Sequence, residues 1–356
     1  MSSRYRKVYN PPLFSPRRFL RNLIAGTGPR RFLRNLIAGT GPKTKQGGQR
    51  KSLKSSPKTI FLPNELYLVK RIAGKIKNDS SVVCGIGDDA AVLRDSGDKY
   101  LLLTCDMLIE GVDFGLSAGP QAIGHKSLAC SLSDIAAMGG LPKYALISLG
   151  LPKKCPGKFL DGFYRGANKL ARQFKTNIVG GDLSSSPQIV VDVSVLGTVK
   201  KKKLVLRSGA KPGDIIFVSG PLGGSIYGRH LGFIPRIKEA NYLVSNYRMN
   251  AMMDISDGLS LDLYRLCSAS RAGAVIYEDL IPLSKDAKSF DQALHMGEDF
   301  ELLFTLPARE ARRLIKHRGI IFKAIGEMRE RKYGISLISK GGREKPLEPR
   351  GYQHWR

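Results

Sequence analysis

The sequence has no apolar run near the roughly 18 residues that a membrane-spanning helix needs. Its five cysteines (Cys84, Cys105, Cys130, Cys155, Cys267) are odd in number and contain no C-x-x-C pair. A disulfide scaffold and a zinc ribbon are thereby excluded, and a reducing, cytoplasmic setting fits. The five histidines (His125, His230, His295, His317, His354) show no H-x-x-x-H spacing, so each is read as a structural or surface residue. No G-x-S-x-G elbow is present, which leaves a hydrolase triad without its usual seat. Acidic residues are missing altogether from residues 1–60, which nevertheless hold fifteen of the 58 lysines and arginines. What is present is ordinary for a soluble enzyme: 42% hydrophobic and 25% charged residues rule out disorder throughout. A length of 356 residues predicts two domains or one large one.

The acid-free arm contains an identical tandem 13-mer, RRFLRNLIAGTGP, at 17–29 and 30–42, followed by a Gly/Ser/Lys-rich linker. Such an arm can bind RNA, DNA or anionic lipid through charge alone, and its composition also resembles an organelle transit peptide. Each FLRNLIA unit is too short to hold a helix by itself. Residues 1–60 are therefore read as a disordered, solvated extension and the only route to a nucleic-acid partner.

In the body, apolar periodicity predicts helices over 64–77 (Asn64 as N-cap), 120–138, 158–174, 259–270 and 308–317. It predicts strands over 81–84, 100–105, 144–149, 178–179, 189–199, 214–219, 251–254, 300–306 and 320–325. Strands and helices mix on both sides of the four-lysine turn at 200–203. The expectation is two α/β or α+β domains, 61–203 and 204–356.

The informative feature is a set of aspartates in small-residue contexts, near the ends of apolar runs. They are Asp88 and Asp89 in GIGDDAAV, Asp106 in LLLTCDM, Asp134 in SLSDIAAMGG, Asp182 in IVGGDLSSS, and Asp254 and Asp257 in MDISDGLS. Helix caps and turns account for most single aspartates. Seven of them across two domains of a basic chain are a different matter. Crowded carboxylates repel and raise one another's pKa unless a cation sits among them. Oxygen ligands without His or Cys select Mg²⁺, which normally bridges to substrate phosphates. The composition points to a Mg²⁺-nucleotide enzyme. The familiar scaffolds for that chemistry are absent. In G-I-G-D-D-A at 85–90, two acids stand where a pyrophosphate would need bare N–H groups. At 119–127, His125 is inserted between Gly124 and Lys126 of a near Walker A loop, so the segment is read as a helix start. The D-F-G at 113–115 lacks the other kinase signatures.

GIGDDAAV, TCDMLIEGVDF, SLSDIAAMGGLP, GGDLS, RSGAKPGD, MDISDGL, GEDFELLF and GYQHW occur in this order. Over about residues 60–356 this set resembles the thiamine-monophosphate kinase family, within the superfamily of aminoimidazole ribonucleotide synthetase. The first motifs fit the whole superfamily, whereas GVDF, GEDFEL and GYQHW select the kinase. The resemblance implies a homodimer built on the N-terminal domain, with ATP in a cleft between the domains. The implied reaction is direct transfer of the γ-phosphoryl group of ATP to the phosphate of thiamine monophosphate.

By motif position, Asp88, Thr104, Cys105, Asp106, Asp134, Asp182, Asp254 and Asp257 would hold several Mg²⁺ ions, Cys105 through its backbone. Asp257, Asp254 and Asp182 would be the catalytic set. Tyr164, Gly181, Asp182, Arg207 and Ser256 would touch ATP, and Asp113, Glu298, Tyr352 and Trp355 the thiamine. Many family members carry His where Asp113 stands and Thr where Cys105 stands. The basic arm is no family feature. The reaction suits the residues: two anionic partners need cations between them, Arg207 adds a charge-assisted contact, and a thiazolium suits acids and an aromatic face. The rival readings are an ATP-using superfamily member with another acceptor, and a nucleic-acid-binding protein acting through its arm.

Overall fold

The computed structural model describes residues 19, 21, 65–317 and 321–354. The expected extension 1–60, apart from Phe19 and Arg21, and the expected N-cap Asn64 and substrate residue Trp355 lie outside the described residues. The Phe19 ring stacks on Tyr277, with centroids 4.8 Å apart.

The first half runs α1 (Glu65–Ala73), β1 (Val82–Cys84), β2 (Ala91–Arg94), β3 (Lys99–Ile109), α2 (Pro120–Ala137), β4 (Leu141–Leu151), α3 (Gly157–Gln173), β5 (Asn177–Ser185) and β6 (Val190–Lys200). Its strands form a six-stranded sheet of order β1-β2-β3-β6-β4-β5. Only β4 and β5 are parallel, joined by the crossover helix α3. The second half runs β7 (Ile215–Val218), α4 (Ile237–Asn246), β8 (Ala251–Asp254), α5 (Leu259–Ser270), β9 (Ala272–Tyr277), α6 (Phe290–His295), β10 (Leu302–Leu306), α7 (Ala308–Lys316), β11 (Lys323–Glu330), β12 (Ile335–Ile338) and β13 (Glu344–Pro346). These strands form a seven-stranded sheet of order β13-β12-β9-β11-β7-β10-β8. The α/β expectation holds in both halves.

The helices differ for a physical reason. α3 buries Phe159, Gly162, Phe163, Gly166, Ala167, Leu170 and Ala171, a 3.6-residue stripe that leaves its other side charged. α2 starts on Pro120 and is buried nearly all round from Ile123 to Ala137, including Lys126, Ser127, Ser131 and Ser133. It lies against the first sheet, α3 and the β8 end of the second half, so it has no solvent face to make polar. Its crossing with α3 is close: a Cβ on Gly166 would stand 1.9 Å from the Gln121 carbonyl oxygen. One apolar core continues from this helix layer into the second half, through Phe217, Phe233, Met252, Phe300 and Phe304. Stacked rings knit it, Phe233 on Phe300 at 4.0 Å and Phe217 on Phe304 at 5.3 Å.

Several boundaries correct the sequence reading. The short strand expected at 178–179 is the nine-residue β5, which takes in Gly181 and Asp182. Its Gly/Ser-rich end has little strand propensity and is held by the ladder to β4, Ser148 opposite Asp182. β3 runs on to Ile109, so Asp106 is a mid-strand residue. The strand expected at 320–325 is displaced to Lys323–Glu330. α4, β2, β9, α6, β12 and β13 escaped the sequence reading. The far face of the first sheet carries exposed Leu103, Met107, Tyr144, Leu146 and Val179, with Met107 59% accessible. Among the described residues no helix is long and apolar enough to cross a membrane.

Candidate active site

The aspartates meet where the β8 end of the second sheet reaches α2. Oxygen atoms of Asp89, Asp134 and Asp254 all lie within 4.8 Å of one another. Three separate backbone devices bring them there. Asp89 follows the turn after β1, Asp134 projects from the last turns of α2, and Asp254 ends β8. Hydroxyls hold the carboxylates in place. Thr104 Oγ1 donates to Asp134 Oδ2 at 2.5 Å, Ser133 Oγ to Asp254 Oδ2 at 2.6 Å, and Ser131 Oγ to Asp106 Oδ2 at 2.8 Å. Asp88 turns to the opposite side of its doublet and accepts the Arg207 backbone N–H at 3.1 Å. Arg207 itself pairs with Asp89 Oδ1 at 2.7 Å.

Burial dominates the electrostatics. It pushes Asp134 and Asp254 well above the usual carboxylate range, with the neighbouring aspartates adding to the rise. Burial and then the Asp89 charge push Asp88 up to about 7, against the pull of Arg207. Burial pushes Asp106 up to about 6; the Ser131 hydroxyl opposes this, and the charges of Asp192, Asp113 and Asp89 add to it. Burial works against the charge on Arg207, but Asp89, Asp88 and Asp254 outweigh it and keep the guanidinium protonated. A cluster with one arginine among so many acids lacks positive charge.

The cluster also leaves one carboxylate oxygen unpaired. Asp89 Oδ2 is buried and has no hydrogen-bond partner. An orphaned carboxylate oxygen beside two more carboxylates, with no His or Cys in the group, fits a hard divalent cation such as Mg²⁺.

A second neighbourhood lies further along α2. Lys126, Cys130 and Asp134 fall at four-residue steps, so one helix face runs from Asp134 to Lys126 over roughly 12 Å. Lys126 Nζ contacts Glu298 Oε1 and donates to the Asp113 carbonyl at 2.6 Å. Asp113 in turn accepts the Ile109 N–H on its carboxylate at 2.8 Å. Tyr352 hangs over the same region. Its N–H donates to the Asp257 carbonyl at 2.9 Å, and its phenol pKa is raised by burial and by the charges of Asp113, Glu298, Asp257 and Glu65. Gly351 makes this crossing possible, since a Cβ there would stand 2.4 Å from the Asp257 carbonyl oxygen.

The structure thus gathers Asp88, Thr104, Asp106, Asp134, Asp254 and Arg207 in one cluster, and Asp113, Glu298 and Tyr352 in an adjoining one. Asp257 stands between them, ion-paired to Arg265 at 2.5 Å rather than joined to the carboxylate triad. Ser256 is half-buried, and its carbonyl accepts the Glu298 N–H at 2.6 Å. Tyr164 packs edge-on against Phe163 in α3. Cys105 is exposed and points away from the cluster, and Gly181 and Asp182 lie on the edge strand β5. Strand pairing places Asp106, Val193, Ile147 and Gly181 on one row, so Asp182 falls on the opposite, exposed face. A cavity of about 1010 Å³ between α2, α3 and residues 231–234 contains none of these carboxylates.

Sequence reasoning singled out Asp89 among the seven aspartates without giving it a ligand role, and missed Lys126, Asp262 and Arg265. Asp89 was visible as half of a doublet, but the turn after β1 decides which half faces the triad. Lys126 is the one cation on an otherwise uncharged stretch of α2. Asp262, pushed up to about 7 by burial and the Asp257 charge, and Arg265 lie on α5, one turn apart and next to the DISDGL motif.

Residues 87–199 match the model of the AIR synthase related protein, N-terminal domain, and residues 230–338 that of the AIR synthase related protein, C-terminal domain. The two sheets and the acidic junction between them thus define an AIR synthase-related protein. The chain is 33% identical to the thiamine-monophosphate kinase of Bacillus subtilis over 82% of its own length and 100% of that relative's. It is 36% identical to the thiamine-monophosphate kinase of Aquifex aeolicus, over 76% of its own length and 92% of that relative's. A solved structure of AaThiL complexed with AMPPCP and TMP matches with a TM-score of 0.72 at 33% identity, covering 82% of this chain and 97% of that one. Hydrogenase maturation protein HypE in complex with ATP shares the fold at 19% identity and a TM-score of 0.59, covering 73% of this chain and 87% of that one. The chain belongs to the thiamine-monophosphate kinase family.

Proposed function

We propose that this protein transfers the γ-phosphoryl group of ATP directly to the phosphate of thiamine monophosphate, giving thiamine diphosphate and ADP. The observation that carries this reading is the orphaned Asp89 oxygen within the Asp89, Asp134 and Asp254 triad. It supports a cation site in a chain whose relatives are kinases. Asp89, Asp134 and Asp254 would hold Mg²⁺, with Asp88, Asp106, Thr104 and, by its backbone, Cys105 around them. Mg²⁺ bound there supplies positive charge that offsets the repulsion between donor and acceptor phosphates.

The chain's own residues do the positioning. The Thr104, Ser131 and Ser133 hydroxyls fix the rotamers of Asp134, Asp106 and Asp254 before any ligand arrives. Arg207, anchored by Asp89, directs its remaining N–H groups to phosphate. Asp257, on the β8–α5 turn that also carries Ser256, is held by Arg265. Asp113, Glu298 and the Tyr352 ring make an acidic, aromatic surround suited to a thiazolium cation. With the partners' geometry prepaid in this way, no covalent enzyme intermediate is required.

The exposed apolar face of the first sheet supports a homodimer, since a patch of this kind on a soluble protein marks an interface. Asp182 lies on that face, so its proposed contact with Mg²⁺ and ATP belongs to the assembled dimer, whereas Gly181 faces the Asp106 side of the sheet. A cytoplasmic setting is part of the reading, because all five cysteines are free thiols.

Purified full-length protein supplied with ATP, Mg²⁺ and thiamine monophosphate is expected to form thiamine diphosphate and ADP in equal amounts. Asp254→Asn keeps the Ser133 bond, and is expected to lower kcat/KM at least about a hundredfold at a melting temperature no lower than the parent's. A well-folded sample that releases ADP only with some other acceptor would overturn the assignment of substrate.

A further inference from the structure

We infer that Lys126 is the residue that positions Glu298 for the acceptor, acting as a strap between the two halves of the molecule. The inference rests on the proposed kinase reading, and on geometry that this reading does not use. Lys126 sits on α2 of the first half with its side chain 1% accessible. A lysine so deeply buried holds its charge only if that charge is paired and its protons are bonded. Its ammonium meets the Glu298 carboxylate, from the second half, and the Asp113 carbonyl, from the loop after β3. Both partners come from residues assigned to the acceptor, so one ammonium ties them together.

Glu298 needs such a tie. It lies in a tight segment after α6 where Gly297, Glu298 and Phe300 all have positive φ, at 73°, 55° and 50°. For Glu and Phe that conformation is unfavourable and persists only where the surroundings over-determine it. The backbone is fixed by the Glu298 N–H to the Ser256 carbonyl and the Phe300 N–H to the Ile255 carbonyl, at 2.6 and 2.8 Å. Buried ion pairs fix the residues beyond it, Asp299 to Arg229 at 2.6 Å and Glu301 to Arg236 at 2.5 Å. These contacts set the backbone but leave the Glu298 side chain free to swing. Its Oε1 goes to Lys126, and its carboxylate remains 26% accessible, so it is held at one end and open at the other. His230, 3.9 Å from Oε2, is too distant to hold it in the same way. Lys126 thus sets where the acidic wall of the acceptor pocket stands without needing to touch the acceptor.

The test is steady-state kinetics of Lys126→Met, Glu298→Gln and the double variant, with KM measured separately for thiamine monophosphate and ATP. Lys126→Met is expected to raise KM for thiamine monophosphate by about ten- to a hundredfold, with KM for ATP and kcat within about threefold of the parent. Lys126→Arg is expected to recover part of the loss. The double variant is expected to be no worse than the poorer single variant, since both substitutions break one contact. Because Lys126→Met leaves a carboxylate without its partner and can unfold the protein, the double variant, which removes both charges, carries the comparison with Glu298→Gln in that event. Equal rises in the two KM values, or additive losses in the double variant, would show a merely structural lysine. If the parent protein itself fails to phosphorylate thiamine monophosphate, the kinase reading falls instead.

Discussion

Asp106→Asn separates what the acidic cluster costs the fold from what it does for function. Asp106 is a mid-strand residue whose carboxyl is pushed up to about 6 from an ordinary 3.8, first by burial. A carboxyl that holds its proton more tightly when folded contributes stability that is fully present below its unfolded pKa. That stability is lost as pH rises through the folded value. A shift of about two units corresponds to about 3 kcal/mol, all of it lost by pH about 8, and roughly half of that loss falls between pH about 5 and about 8. Asparagine keeps the shape, and its amide oxygen still accepts from Ser131, but it has no charge to bury. Metal-free Asp106→Asn is therefore expected to be more stable than the parent at pH about 8, by up to about 3 kcal/mol, with the gain shrinking as pH falls. His230 and His295, held below the usual imidazole value by burial, act in the opposite direction, but they are common to both proteins and cancel in the difference.

The assay is thermal or urea unfolding in EDTA at several pH values, repeated with Mg²⁺. For the parent protein, Mg²⁺ should stabilise more as pH rises, because ligands must lose their protons to bind it. For the variant this response should be reduced, and kinase turnover with it. A variant less stable than the parent at every pH, or a difference that does not change with pH, would refute the account of the buried carboxylate.

Gly166→Ala is expected to destabilise by about 1–3 kcal/mol despite the better helix propensity of alanine, because backbone of α2 fills the space its methyl would need; thermal melts read the change. Met107→Glu, in the middle of the exposed apolar face, is expected to turn a dimer into a monomer in sedimentation without lowering the melting temperature of the monomer. A parent protein that sediments as a monomer would end the interface reading.

How much was legible beforehand follows from which physical signal each residue carries. α3 was readable almost to the residue, since its buried positions repeat along one stripe. α2 was readable from its length and its Pro120 start, but not the role of its buried polar residues, because burial on all sides erases periodicity. β5 was reduced to two residues because glycine and serine carry no strand signal and only the β4 ladder makes it a strand. Among the site residues, the aspartates declared themselves by number and context. Which half of the Asp88 and Asp89 doublet faces the triad is decided by the direction of one turn, which composition does not record. Asp257 looked like the twin of Asp254, but Arg265, one and a half turns into α5 and eight residues on in sequence, takes it as a partner. Asp182 carried the right motif, and strand alternation put its side chain on the outer face.

A single unbroken helix, anchored on every side, bears Asp134 at one end of the site and Lys126 at the other. The distance between the two is then a fixed length, like the marks on a gauge, and no hinge lies within it to lengthen or shorten the measure. A ligand whose charged ends are spaced differently must forfeit one end. Changing which molecule fits would call for new side chains at the ends of that gauge, while a shift of one half of the protein against the other would carry both marks along together only if α2 moved whole.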